Sequence, residues 1–71
     1  MRTRYLIEIS HPREIDGRQL HTELLEFANN NICTFTRGTL VFGDAPEDQI
    51  QRILAICEDY GDATLKRYRA A

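Results

Sequence analysis

Apolar positions along the chain follow two alternating rhythms. In Arg4-Tyr5-Leu6-Ile7-Glu8-Ile9-Ser10 the period is two, with Tyr5, Ile7 and Ile9 on one face of a strand and Arg4, Leu6, Glu8 and Ser10 on the other. The first set predicts the core side. His11-Pro12 then ends the strand, because proline has no donor for the ladder. The next stretch changes period: Leu20, Leu24, Phe27 and Ala28 recur at helical spacing, and Leu25 widens the stripe. Asp16 followed by Gln19 predicts a capping box for this helix. Asn29-Asn30-Asn31 predicts its stop, since asparagine tolerates left-handed dihedrals.

Two more strands are expected at 32–37 and 39–43, joined at Arg37-Gly38 in an antiparallel hairpin. The expected inward residues are Cys33 and Phe35 on one strand and Leu40 and Phe42 on the other. That choice puts Leu6, Thr39 and Val41 at the centre of the opposite face, whereas a one-residue change in facing would instead expose Tyr5 and Phe42. Asp44-Ala45-Pro46-Glu47 reads as a second capping box, with proline tolerated in the first turn. Ile50, Ile53, Leu54 and Cys57 then share a helical face that Tyr60 continues, and Gly61 is the expected left-handed cap. The last strand is expected at 64–69.

The element order is therefore β-α-β-β-α-β within 71 residues, read as one domain spanning 1–71. Each helix has a single apolar side to bury, and right-handed crossovers place both helices on the same side of the sheet. The expected strand order is 4-1-3-2, with the first and third strands central. This pattern resembles the ferredoxin-like fold, a split βαβ of the α+β class: a four-stranded antiparallel sheet with two helices on one face.

Hydrophobic residues make up 42% of the chain and charged residues 28%, which suits a folded domain and not a disordered one. The apolar runs are far shorter than the roughly 20 residues needed to cross a bilayer. Met1 to Leu6 leads directly into a strand pattern with no signal-peptide core. A cytoplasmic protein with no membrane partner is the expectation. Cys33 and Cys57 are then expected to be reduced, buried thiols, although pairing under oxidising conditions stays open.

The net charge of −2 is unevenly spread. Asp44, Glu47, Asp48, Glu58, Asp59 and Asp62 form an acidic stretch whose single base is Arg52, and this acidic surface is the expected protein-binding site. Arg2, Arg4, Lys66, Arg67 and Arg69 are expected to meet where the first strand begins and the fourth ends. The two edge strands also differ, because the fourth is guarded by cations while Ile32, Thr34 and Thr36 of the second carry no charge. That edge is a template for strand addition by a partner or for a homodimer.

Chemical motifs are sparse. A metal site would draw on His11, His21, Cys33 and Cys57, which are scattered over three elements, and a Cys-x-x-Cys pair like that of copper chaperones is absent. No cofactor motif is present, and no nucleophile can be assigned. Ser10-His11-Pro12-Arg13 resembles, in outline, the arginine-bearing loop of small phosphatases of this topology, which leaves an acylphosphatase-like hydrolase as a distant alternative. Arg37-Gly38-Thr39-Leu40-Val41-Phe42 resembles the basic-glycine start of an RNA-recognition motif. An RNA or single-stranded nucleic-acid module using Arg4, Lys66, Arg67, Tyr68 and Arg69 on the open sheet face is therefore the first alternative. The leading expectation is a small non-enzymatic interaction or regulatory protein that docks on another protein, with phage or mobile-element inhibitors of the anti-CRISPR type as one such class.

Overall fold

The computed structural model describes residues 2–11, 17–36 and 40–69, and the side chains of 2–11, 19–35 and 40–68. Its elements are β1 (Thr3–Ser10), α1 (Gly17–Asn29), β2 (Thr34–Thr36), β3 (Leu40–Ala45), α2 (Glu47–Glu58) and β4 (Asp62–Arg69). The strands form one antiparallel sheet in the order β2-β3-β1-β4, as the alternating patterns predict. Tyr5, Ile7 and Ile9 of β1 join Val41 and Ala45 of β3, Leu20, Leu24 and Phe27 of α1, and Ile50, Ile53 and Cys57 of α2 in a single core. Both helices therefore cover the same sheet face.

Several local expectations change. On β3 the inward residues are Val41 and Ala45, whereas Leu40 and Phe42 are exposed. The cause is register. Thr36 pairs with Leu40, Phe35 with Val41 and Thr34 with Phe42, so three positions (37–39) separate the strands where a two-residue Arg37-Gly38 turn would leave two. A one-residue change in register turns every side chain of a strand to the other face. Phe35 keeps its inward place against the core, and Cys33, just before β2, is buried. Thr39, expected on the open face, lies outside the described residues, as do Asp16 of the first capping box and the Arg37-Gly38 turn. Leu25 is exposed, because the α1 stripe is narrower than the sequence suggests.

The ends of α1 and α2 are built differently. Asn31 adopts φ 59°, its N–H donates to the Ala28 carbonyl, and Ile32 N–H reaches back to the Phe27 carbonyl. Together these make a Schellman closure with asparagine in the left-handed position. At α2 the expected capping box does not form. The strand runs on to Ala45, Pro46 is the N-cap with no side-chain hydrogen bond, and the Asp44 carboxylate turns to Arg4 on the opposite side of the sheet. Asp59, in the right-handed region, is the C-cap in place of Gly61, and β4 begins at Asp62.

One glycine is fixed by close approach. Gly43 stands opposite Tyr5, whose hydroxyl passes to the Ile32 carbonyl at 2.7 Å. A Cβ at Gly43 would lie 2.5 Å from that carbonyl oxygen and 3.3 Å from the Tyr5 hydroxyl. No side chain fits there without moving the backbone that joins α1 to β2.

Candidate docking face

Because β1 and β3 bury alternate residues and β4 packs Ala63 and Leu65 against the same core, the other alternates stand together on the helix-free side. The register sets them in rows: Asp44, Arg4 and Tyr68 lie in one, then Phe42, Leu6 and Lys66, then Leu40 and Glu8 with Thr64. Thr34, opposite Phe42, extends the middle row onto β2. Leu40, Phe42 and Tyr68 are 36%, 40% and 49% exposed, so large apolar groups face solvent around the half-buried Leu6. A shallow depression of about 560 Å³ occupies the Asp44 end of this face, lined by Arg2, Arg4, Leu6, Asn31, Phe42 and Tyr68 among others.

The face carries charges of both signs, Arg4 and Lys66 with Asp44 and Glu8, and Arg2 at its corner. Arg4 Nε lies 3.4 Å from Asp44 Oδ1, with 69% and 50% of the two side chains exposed. An exposed pair at this distance contributes little to stability, at most about 1 kcal/mol. Both groups therefore remain able to engage a partner. Arg2 donates to the Asp44 carbonyl at 2.9 Å and flanks the same corner.

The acidic stretch is divided by the fold. Asp44 lies on the open face. Glu47 binds Arg67 Nε at 2.7 Å on the helix side, and Asp62 Oδ2 lies 3.4 Å from His11 Nδ1. Asp48 sits in the first turn of α2, while Glu58 and Asp59 close its far end. At 1.5 Å per residue those ends are about 15 Å apart, beyond the roughly 8 Å over which salt leaves exposed charges coupled. Arg52, the base within the stretch, lies over the Phe27 ring at 5.5 Å.

The basic corner divides too. Lys66 and Tyr68 share the open face with Arg4, whereas Arg67 points to α2. Arg69 pairs with Thr3 in the sheet, and its side chain is outside the described residues. Along the other edge, β2 spans Thr34–Thr36 among the described residues. Ile32 precedes the strand, with its N–H and carbonyl already bonded to Phe27 and Tyr5. The strand-addition template is thus two residues shorter than 32–36, and short edges resist pairing.

The two thiols are interior: Cys33 and Cys57 are free and buried. Burial pushes the Cys57 thiol up to about 12 and raises that of Cys33, which removes the thiolate that reactivity needs. His21 packs its ring on Phe35 at 5.9 Å, fastening α1 to β2. Among the described residues no three His, Cys, Asp or Glu side chains come together, and no helix is long and apolar enough to cross a membrane.

Sequence reasoning missed Phe42 and Leu40 as surface groups and Asp44 as the partner of Arg4. Leu40-Val41-Phe42 has no alternation to orient it, so the signal lay only in hairpin length. No protein-family model, curated protein or solved structure matches this chain.

Proposed function

We propose that this chain is a non-enzymatic docking protein whose partner-binding surface is the helix-free face of the sheet. One observation carries the reading: Leu40, Phe42 and Tyr68 are exposed on the same face as Leu6, interleaved with Arg4, Lys66, Glu8 and Asp44 and with Arg2 at the corner. Large apolar groups gathered on one exposed face among polar ones mark an interaction surface. The acidic ends of α2 and the β2 edge are secondary contacts at most, because the first is split by the helix length and the second is short.

The second reading, single-stranded nucleic acid, gains Phe42 and Tyr68 as rings on which bases could stack. Its electrostatics are weaker. Binding to phosphate draws on a net positive surface, and here Glu8 and Asp44 offset two of the three cations Arg2, Arg4 and Lys66 within a chain of net charge −2.

The test is an affinity capture from extract of the source organism, run with and without nuclease, comparing the native chain with Phe42→Asp. A stoichiometric protein recovered by the native chain and lost with Phe42→Asp supports docking through this face. Equal recovery by both moves the contact elsewhere. Recovery only of nuclease-sensitive material transfers the face to nucleic acid.

A further inference from the structure

We infer that the open sheet face is self-complementary and takes a second copy of this chain, face to face. The inference rests on the reading of that face as a docking surface and names its occupant. The decisive feature is how the register distributes unlike groups across the seam between β1 and β3. Arg4 is opposite Asp44, and Leu6 is opposite Phe42. Consider a two-fold axis parallel to the strands and lying over that seam. It brings β1 of one copy over β3 of the other at the same height. Each residue then faces the group that is its cross-strand partner within its own chain.

Arg4 therefore meets Asp44 of the second copy, and Asp44 meets its Arg4, so two exposed ion pairs become a closed ring of four alternating charges. Leu6 meets Phe42 of the second copy, and the converse contact forms beside it, giving an apolar centre. Lys66 falls over Thr34 of the second copy. Glu8 falls towards Leu40 of the second copy at the far end, a mismatched pair that weakens the contact. Such an isologous contact closes at two copies.

Area limits its strength. Four strands at about 4.8 Å spacing and about 20 Å in length present about 400 Å² per copy. The pair covers about 800 Å², below the roughly 1,200 Å² of a standard stable interface. Self-association in the high-micromolar range is the expected result.

Sedimentation equilibrium of the purified full chain, as wild type, Arg4→Asp, Asp44→Arg and Phe42→Asp, tests this arrangement. All three substitutions lie at exposed sites, and circular dichroism verifies the fold of each. The wild type should dimerise, Phe42→Asp should be monomeric, and each charge reversal alone should weaken the dimer at least tenfold by setting like charges against each other. Mixing Arg4→Asp with Asp44→Arg should restore association, because every facing pair is again opposite in sign. A wild type that stays monomeric to about 1 mM overturns the proposal, as does a dimer indifferent to Phe42→Asp and to both reversals. Loss of a foreign partner with Phe42→Asp, seen alongside a strictly monomeric wild type, would reject the second copy while leaving the docking surface in place.

Discussion

The two faces of one sheet are built from the same strands and have different fates. On the helix side Tyr5, Ile7, Ile9, Val41 and Ala45 are buried, while Arg4, Leu6, Glu8, Phe42 and Asp44 stand between them on the other side at least partly open to solvent. Alternation lets neighbouring positions serve separate ends, one residue specifying the fold and the next a surface. Substitutions should divide accordingly: changes on the helix side act on stability, and changes on the open side act on association.

The sharpest way to break this division is to empty the core side. Ile7→Ala should cost about 2–5 kcal/mol, the usual range for a fully buried aliphatic truncation, and urea denaturation will read it. A chain of this size has modest stability to spare, so partial unfolding at 37 °C is expected. Next in size is Gly43→Ala, at about 1–3 kcal/mol, because the new Cβ would meet the Ile32 carbonyl and crowd the Tyr5 hydroxyl. Its signature in the same titration is a lower midpoint with an unchanged slope. A smaller loss there would mean that the chain linking α1 to β2 shifts freely.

Alkaline pH probes the buried side more gently. Burial raises the Tyr5 phenol and the Cys33 and Cys57 thiols, and the hydrogen bond to the Glu23 carboxylate pushes Tyr60 up to about 12. Their ordinary values are 9.0 for the thiols and 10.0 for the phenols. The folded chain therefore holds more protons than the unfolded chain above about pH 9. These groups contribute fully below that pH, and their contribution is lost as pH rises towards 12. Denaturation midpoints taken under reducing conditions should fall between pH 8 and pH 10.5. A flat profile would mean that the four groups are solvated.

Phe42→Asp sharpens the comparison from the other side and has the smallest expected effect on stability, within about 0.5 kcal/mol. Its consequence should appear only in association.

The fold was largely legible because its signals are local. Tyr5, Ile7 and Ile9 alternate cleanly, and Ile50, Ile53, Cys57 and Tyr60 keep helical spacing, so burial in β1 and α2 follows from period alone. The three asparagines announced the α1 stop that Asn31 makes. The open face was less legible. Leu40, Val41 and Phe42 are all apolar, so only the separation of β2 from β3 could orient them. Asp44 carried a capping signal that its neighbours shared, yet its partner Arg4 is 40 positions away, a contact no local pattern encodes. The acidic stretch was easy to see, but not its division, since neighbours in sequence became the two ends of a helix.

Side-chain methyl NMR of the native chain, diluted from about 1 mM to about 10 µM, tests the central claim most directly. The account predicts concentration-dependent shifts at the methyls of Leu6 and Leu40, with Ile7, Leu24, Ile50 and Ile53 unmoved. Shifts confined to α2 or to the β2 edge would contradict the open face as the contact, and no shift across the whole range would remove the second copy as its occupant.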